Sequence, residues 1–520
     1  MSSALKLDIL VVGAGLAGLA ATCALAVDGH RVRLFEKSPG IPSAAGGIRL
    51  PPNATKMLVH MGMQGEMSKR SVPVAGVVYR DLRTGELIGG AGWVPVMFKD
   101  SGAVARVIDV RSPAPPSLRV RHRDLCDMLY QRAISAGAKI SFNSEVAGVC
   151  QPSAHAPSSG SDDHRPSVEL CSGEVVHADV IIGADGARSI VRPVVDAQDA
   201  DADAGERWKG AYTGTTVYTG VCPVEDATPD EGCKVDIWMS DGFHAMSYGT
   251  RKQEIVLHIE HEEEAGDGQA DWERVPPSSV PRADGFAPRL QRMLERVPYF
   301  TRARCYACPP ADEWVDASET IILLGQAAHY MLPYALHQSS NCLESAAVLA
   351  TLLSHLRARD QIPSLLYAYH DLRAPRAARL HALELKNRHF LNLAGEQRAA
   401  RDAALRAAFA KARSAKTREE VEGAFHGHRN GNGNGDGEDE DEDEDDEDAE
   451  GLERQFAELL EGWGYDAYEE AEEWWVRWGL LKERASVMGE DAGEESSHQT
   501  PGIVFDVGGV LFARHTIEHA

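Results

Sequence analysis

The chain has 520 residues, of which 43% are hydrophobic and 25% are charged, and its formal net charge at pH 7 is −26. This length exceeds what one hydrophobic core needs, so we expect more than one structural domain. The negative charge argues against nucleic acid or an anionic membrane surface as a partner, and no apolar run is long enough to span a membrane.

The nine cysteines are scattered along the chain, which favours reduced thiols in a cytoplasmic protein over a disulfide framework. Cys305 and Cys308 form one C-x-x-C pair, but no second pair follows, and we therefore predict no metal site. The first residues lack the pattern of a signal peptide, and we interpret them as leading into a strand. The oligomeric state cannot be predicted from these features.

Residues 5–37 contain two apolar runs, LDILVV and RVRLFE, which predict strands on either side of an alanine-rich helix. Short β-like runs follow over residues 71–120 and again over 205–310, among them VAGVVYRD and EIVLHIEHE. Gly, Pro and charged residues interrupt these runs. This pattern predicts an antiparallel sheet that is inserted between parts of the first domain.

Between the two β-like regions, residues 123–138 show helical spacing, and residues 176–192 predict a second strand, turn and helix. Residues 345–425 are mostly helical in pattern. Residues 431–451 contain thirteen acidic residues, half of the net negative charge, and we expect them to be disordered. A solvated linker fits this composition better than a binding segment for a basic partner.

The first motif is Gly13-Ala14-Gly15-Leu16-Ala17-Gly18, directly after the first strand. Its glycines allow a tight turn, close approach of backbone to a pyrophosphate and close packing of helix on strand. Glu36, with Lys37 beside it, ends the second strand, where a carboxylate can accept both ribose hydroxyls. The pattern predicts dinucleotide binding, although NAD and FAD share it. The alternative is a glycine-rich turn in an α/β core.

The second motif, DVIIGADGARSIVR over 179–192, resembles the Asp-Gly motif of flavoprotein aromatic hydroxylases. These are single-component FAD monooxygenases that include fungal salicylate hydroxylase-like enzymes. Asp185 and Gly186 match the motif positions that, in this family, contact FAD and the NAD(P)H pyrophosphate. GGIRLPPNATKML, which contains Gly47, is similar to the stretch after the first βαβ unit in fungal members. The resemblance covers about residues 5–425 and 452–481.

The third family motif reads Gly-Asp-Ala-Ala-His, then Pro, then Gln-Gly and Glu-Asp, and residues 325–345 resemble it with four changes. The changed residues are Gln326, His337, Gln338 and Ser345. Gln326 offers a neutral acceptor where the family has a carboxylate, which should weaken FAD binding without abolishing it. Gln338 would crowd the flavin if the backbone there needs a positive φ.

By resemblance, further FAD contacts are expected on this loop and before the helix at 123–138; these residues are Pro333, Ser339, Arg121 and Arg123. The resemblance implies an α/β fold with a Rossmann-type FAD-binding domain, an inserted antiparallel β-sheet substrate domain and a helical C-terminal part. The implied segments are FAD-binding residues 1–70, 121–204 and 311–425, substrate-sheet residues 71–120 and 205–310, linker 426–451, helical segment 452–485 and tail 486–520.

The implied function is that of an FAD-dependent monooxygenase, with NAD(P)H as co-substrate. Its substrate would be a small aromatic molecule, phenol-like or an aromatic carboxylate. The chemistry resides in the cofactor, and no residue of this sequence is assigned a catalytic function. The alternative is a degenerate, non-catalytic flavoprotein paralogue, which the four changes in the third motif favour. A nicotinamide dehydrogenase that uses only the first motif is a third hypothesis, and the Asp-Gly motif argues against it.

Overall fold

The computed structural model describes residues 5–42, 46–74, 76–92, 117–152, 164–196, 210–223, 234–251, 254–262, 272–281, 285–414, 457–458 and 461–480. The predicted acidic linker and tail lie outside these residues. Residues 1–472 form one compact unit, which contains all the cofactor and sheet segments predicted above. Residues 473–520 form a separate unit, described over 473–480, where Trp475–Gly479 is a π-helical turn.

The strands, in chain order, are β1 (Asp8–Val12), β2 (Arg31–Phe35), β3 (Gly47–Leu50), β4 (Val72–Pro73), β5 (Gly76–Asp81), β6 (Leu87–Gly92), β7 (Leu118–Arg121), β8 (Lys139–Ser141), β9 (Val146–Cys150), β10 (Ser167–Leu170), β11 (Val175–His177), β12 (Val180–Gly183), β13 (Ala211–Pro223), β14 (Lys234–Ser240), β15 (Phe243–Arg251), β16 (Glu254–Glu262), β17 (Glu273–Val275), β18 (Phe300–Ala307) and β19 (Ile321–Leu323). The helices are α1 (Leu16–Val27), α2 (Pro52–His60), α3 (Gln64–Arg70), α4 (His122–Ser135), α5 (Arg192–Val195), α6 (Pro288–Arg296), α7 (Gln338–Ser354), α8 (Ile362–Leu391), α9 (Gly395–Ser414) and α10 (Ala467–Trp474).

The first layer is a parallel sheet in the order β19, β12, β1, β2, β8. The four apolar residues that end β1, from Ile9 to Val12, are all buried. Burial on both faces is typical of parallel strands that helices cover on both sides, and it explains the continuous apolar run in the sequence. Helix α1, rich in alanine, packs against α4 and α7. This is the Rossmann-type arrangement that the sequence predicted.

The second layer is an eight-stranded sheet in the order β17, β18, β13, β16, β15, β14, β5, β6. Its pairs are antiparallel, as predicted, except that β5 and β14 run parallel. The long connection between β5 and β14 passes through the first layer, and parallel neighbours need such a crossover. Strand β7 pairs instead with β3 on one side and β4 on the other, in a separate sheet, so of the strands described within residues 71–120 only β5 and β6 join the large sheet.

The helical part begins with α7, directly after the loop of the third motif, and continues through α8 and α9. Helix α8 lies against the large sheet, where its Leu391 and Phe390 pack with side chains of β5, β14 and β15. The helix predicted after the Asp-Gly motif is only the single turn α5. Of the helices within the described ranges, none combines the length and hydrophobicity that a membrane span requires.

Candidate active site

The glycine turn, residues 13–18, connects β1 to α1, and packing requires two of its glycines. Gly13 has a φ of +98°, and a Cβ there would lie 2.7 Å from the Ala184 carbonyl oxygen. A Cβ on Gly18 would overlap the Gly13 carbonyl oxygen. A Cβ on Gly15 would meet nothing within 4 Å. The turn therefore presents open space at its middle glycine, beside the start of a helix, as a phosphate-binding turn does.

Glu36 is buried at the end of β2, and its carboxylate anchors the glycine turn. It accepts hydrogen bonds from the backbone nitrogens of Ala14 at 2.7 Å and Ser38 at 2.9 Å. Each carboxylate oxygen has a further lone pair, so Glu36 can still accept hydrogen bonds from ribose hydroxyls. The sequence pattern did not predict that Glu36 also holds the glycine turn in place. Lys37 has an exposed side chain.

Asp185 lies next to the glycine turn, since a Cβ on Gly13 would lie 2.9 Å from its Cα. Its Oδ2 accepts a hydrogen bond from the Ile190 nitrogen at 2.7 Å. Its Oδ1 is buried and has no hydrogen-bond partner among the described residues. Burial raises the pKa of Asp185. Gly186, at φ +84°, also faces open space. A buried acceptor without a partner, beside two open glycines, fits a ligand rich in hydroxyl and phosphate groups.

The third-motif loop, residues 324–337, joins the same region because Gly325 packs on α1. Gly325 has a φ of +67°, and a Cβ there would lie 2.5 Å from the Ala17 Cβ. Gln326 points its amide nitrogen at the Met331 carbonyl oxygen, 3.3 Å away. The fold therefore brings all three motifs together at the ends of β1, β12 and β19, where open α/β sheets bind ligands.

The changed residues of the third motif are held by side chains of the neighbouring helices. His337 is fully buried, and its Nδ1 and backbone nitrogen both lie 2.6 Å from Glu384 Oε1 on α8. Burial raises the pKa of Glu384, but the hydrogen bonds from His337 outweigh it and hold that pKa below its ordinary value. Ser345 accepts a hydrogen bond from Arg373 at 3.3 Å.

Gln338 does not have the backbone conformation that would make it crowd a ligand. It is the first residue of α7, and the positive-φ residues of the loop are Gly325, at +67°, and Tyr334, at +63°. The condition under which Gln338 would crowd the flavin, a positive φ at this residue, is therefore not met, because Gln338 lies in the first turn of a helix. Glu344, which matches the family, is fully buried between Arg373 at 2.9 Å and Arg376 at 3.1 Å.

Several predicted cofactor residues have partners in the protein. Ser339 donates a hydrogen bond to the Arg49 carbonyl oxygen at 3.3 Å. Arg121 is paired with Glu254 of β16, its Nε 2.6 Å from the carboxylate, whereas Arg123 has an exposed side chain in the first turn of α4. A Cβ on Gly47 would lie 2.6 Å from a methyl group of the large sheet. Contacts of these four residues with FAD therefore remain predictions.

A polar cavity lies between the large sheet, the third-motif loop and α8. Val217, Met246, His258 and Glu260 line it from the sheet, and Pro333, Tyr334, Glu384 and Arg388 line it from the loop and α8. The sequence analysis missed the sheet residues. Their signal was the alternation in EIVLHIEHE, which points His258 and Glu260 to one face of β16.

A chain of hydrogen bonds passes from the third-motif loop to β3 through His258. The Tyr334 hydroxyl is bonded to Thr219, and Thr219 Oγ1 lies 2.8 Å from His258 Nδ1. His258 Nε2 lies 2.8 Å from the Tyr248 hydroxyl, which donates to the Gly47 carbonyl oxygen at 2.9 Å. Because Tyr248 donates to that carbonyl, His258 Nε2 donates to Tyr248, and Nδ1 accepts from Thr219.

His258 is uncharged in this chain. Burial, followed by the nearby positive charge of Arg49, lowers the pKa of His258 to about 3. Burial raises the pKa of Tyr334 to about 12, against the smaller opposing effect of its hydrogen bond with Thr219. The chain of hydrogen bonds thus consists of neutral groups, and each hydrogen bond in it has a defined donor and acceptor.

Residues 6–383 match the sequence family described as an FAD binding domain. The chain is 26% identical to FAD-dependent monooxygenase ntnJ of Nectria sp over 407 residues, which cover 76% of this chain and 87% of the relative. It is 26% identical to 6-hydroxynicotinate 3-monooxygenase of Bordetella bronchiseptica over 394 residues, covering 74% of this chain and 91% of the relative.

Two solved structures share the fold. A salicylate hydroxylase substrate complex has a TM-score of 0.60 at 20% identity, with 77% of this chain and 93% of that chain covered. Klebsiella pneumoniae HpxO with FAD and uric acid has a TM-score of 0.61 at 21% identity, with 77% and 92% covered. With the glycine turn, Asp185 and the third-motif loop gathered at one sheet edge, the chain belongs to the FAD binding domain family and is an FAD-dependent monooxygenase of the aromatic hydroxylase type, with FAD as its cofactor.

Proposed function

We propose that this flavoprotein hydroxylates a small aromatic molecule with an ionisable phenol or carboxylate, using NAD(P)H as reductant and O₂ as oxidant. The observation that carries the proposal is the meeting of the Arg49 guanidinium and the His258 hydrogen-bond chain in one cavity beside the third-motif loop. The named activity of the Bordetella relative, on a hydroxylated aromatic acid, supports it.

FAD, when bound, accepts electrons from NAD(P)H and supplies the activated oxygen. The residues that would hold it are the glycine turn and Glu36 at the adenosine end, and Asp185 and Gln326 along the chain toward the flavin. Their open space, acceptor oxygens and shared position at one sheet edge fit this cofactor.

Arg49 would hold the anionic head of the substrate. It lines the polar cavity, and it forms no ion pair with a carboxylate among the described residues. Its Nη2 donates to the Tyr334 carbonyl oxygen at 3.3 Å, which fixes the guanidinium at the cavity wall. Its charge already lowers the pKa of His258, so the same charge would stabilise a phenolate or carboxylate in this space.

The hydrogen-bond chain would orient a phenol substrate. The Tyr334 oxygen would accept a hydrogen bond from the phenol, because the Tyr334 hydroxyl donates to Thr219 and Thr219 donates to His258 Nδ1. His258 stays neutral, since burial and the charge of Arg49 keep its pKa at about 3. The negative charge that develops on the phenol oxygen would be stabilised by Arg49.

The proposed reaction fits a cytoplasmic location, where NAD(P)H is available and thiols stay reduced. Every cysteine in the described part of the chain is a free thiol.

The test is substrate-stimulated NADH and NADPH oxidation by the FAD-loaded protein, with phenols and aromatic carboxylates, and mass analysis of products for one added oxygen. Arg49→Gln should raise KM about tenfold or more for anionic substrates, because it removes a charge-assisted contact. The matched control is Arg70→Gln, since Arg70 pairs with Asp127 away from the cavity. If the protein binds FAD but no aromatic compound stimulates oxidation, the proposal fails. A protein that binds no FAD would favour the degenerate paralogue.

A further inference from the structure

A second cavity lies beside the polar cavity and has a different lining. Apart from Arg49, the described residues around it are uncharged, and most of its surface is apolar. The large side chains that matter here come from four parts of the fold: Val77 and Tyr79 of β5, Val235 and Ile237 of β14, Phe390 of α8, and Trp463 of the segment after the acidic tract. We call this the apolar cavity.

The two cavities lie side by side between the large sheet and α8. The polar cavity faces β13, β16 and β15, and the apolar cavity faces β14 and β5, which follow next in the order of the sheet. On α8, Arg388 lines the polar cavity and Phe390 the apolar cavity. Arg49 and Asn387 line both, so these two side chains stand at the junction.

We propose that the substrate is an aromatic molecule with an apolar extension, such as an alkyl or isoprenoid chain, which occupies the apolar cavity. This inference rests on the proposed function, because the phenol or carboxylate head lies in the polar cavity. Arg49 at the junction attracts the anionic head, and the uncharged lining beyond it accepts only a part that gains by leaving water. A pyrophosphate of NAD(P)H does not fit this lining, since it needs several hydrogen-bond donors or positive charges.

Trp463 lies in the segment after the acidic tract, and through it this segment would contribute to the choice of substrate. Its backbone neighbour Gly462 is held by Arg376, whose Nη2 lies 2.7 Å from the Gly462 carbonyl oxygen. Arg376 in turn stacks over the Tyr465 ring at 4.2 Å and pairs with Glu344. The segment after the acidic tract therefore closes one side of the apolar cavity and is anchored to the same buried carboxylate as the third motif.

The experiment uses the FAD-loaded full-length protein and a series of 4-alkylphenols, from methyl to octyl. Dissociation constants are measured by calorimetry, and kcat/KM by NAD(P)H oxidation with product analysis. We expect the dissociation constant to fall about threefold per added methylene until the apolar cavity is full, and kcat/KM to rise in parallel.

Val77→Phe should remove most of this chain-length dependence, because its ring fills the apolar cavity. The matched control is Val78→Phe, the next residue of β5, whose side chain points to the opposite face of the sheet and should leave the dependence intact. Trp463→Ala, which enlarges the cavity, should move the optimum to longer chains. Flavin absorbance and the unfolding temperature report whether each variant is folded.

A dissociation constant in the wild type that does not change with chain length overturns the inference. Equal loss of the dependence in Val77→Phe and Val78→Phe, with no shift in Trp463→Ala, also overturns it. If the long phenols bind with the expected dependence but none is hydroxylated, the apolar cavity is assigned correctly and the proposed function is the part that fails.

Discussion

The glycine turn and the third-motif loop lie at the same sheet edge but are built differently. The glycine turn consists of backbone packed against backbone: a Cβ on Gly13 or Gly18 would strike a carbonyl oxygen. The carbonyl oxygens of Ala184 and Gly13 follow directly after the buried strands β12 and β1, which fix the backbone there, so these positions accept no side chain. The turn accordingly retains the complete glycine pattern.

The third-motif loop, in contrast, is held by side chains from other elements, and four residues of its motif have changed. His337 has Glu384 of α8 as its partner, and Ser345 has Arg373. A site built from side chains can change when its partners complement the new residues, whereas a site built from backbone cannot. The changes in the third motif are therefore compatible with an ordered loop.

The largest expected effect is on the backbone-built site. Gly18→Ala should lower the free energy of unfolding by about 3 kcal/mol and abolish FAD binding, because the methyl group overlaps the Gly13 carbonyl oxygen. Gly15→Ala should leave the stability of the apo-protein unchanged and weaken FAD binding, since its methyl group enters open space. Thermal unfolding and FAD titration measure both. Equal stability of the two variants would show that the turn is not as rigid as we conclude.

The side-chain-built site should be tested by removing one partner at a time. His337→Gln should cost about 3 kcal/mol of stability at pH 7, because the buried Glu384 carboxylate loses its ring partner. The double variant His337→Gln with Glu384→Gln should recover more than half of this loss. Additive losses would mean that the two side chains are not coupled.

The same pair has a predicted pH dependence. The pKa of Glu384 is lower in the folded chain than in the unfolded chain, so its stabilisation is present above about pH 4.3 and is lost as the pH falls through the folded value. The difference between wild type and His337→Gln should therefore shrink at acid pH. Urea unfolding at pH 7 and near pH 4 measures it, and a constant difference would contradict the assignment.

Asp185 is the acidic side chain beside the glycine turn, and we expect FAD binding there to depend on it. Asp185→Asn should weaken FAD binding about tenfold or more, because a charge-assisted acceptor is lost. The apo-protein should become more stable at pH 7. Folding raises the pKa of Asp185, so the wild-type protein is most stable below about pH 3.9, where this carboxyl is protonated, and loses stability as the pH rises through the folded pKa. The stability advantage of Asp185→Asn over the wild type should therefore disappear in acid. Glu169→Gln, at an exposed carboxylate, is the control and should change neither property.

The smallest effect is expected at Gln326. Gln326→Asp should lower the FAD dissociation constant by up to about fivefold, because a carboxylate accepts a stronger hydrogen bond than an amide. The apo-protein should lose a little stability, since the bond from Gln326 to the Met331 carbonyl disappears. Gln326→Asn keeps a neutral amide and should not tighten binding. Unchanged affinity in the aspartate variant would place Gln326 away from the cofactor.

The sequence by itself determined the cofactor half of this protein. The turn around Gly13 and the Asp185-Gly186 pair are short motifs whose chemistry depends on backbone conformation and on spacing within one strand–turn–helix unit. Local patterns of this kind predict structure well, because the residues that act together are neighbours in the chain. The inserted sheet was also predicted, from runs of β-like residues with breaks.

Only the tertiary structure decided the substrate half. Tyr334, Thr219, His258 and Tyr248 come from the loop and three strands, and the register of β13, β15 and β16 brings them into one chain of hydrogen bonds. The ion pair between Arg121 of β7 and Glu254 of β16 is likewise a contact that the sequence did not predict. Contacts between distant residues depend on strand register and on helix placement, which no local sequence pattern encodes. The polar cavity and the apolar cavity beside the large sheet follow from the same packing.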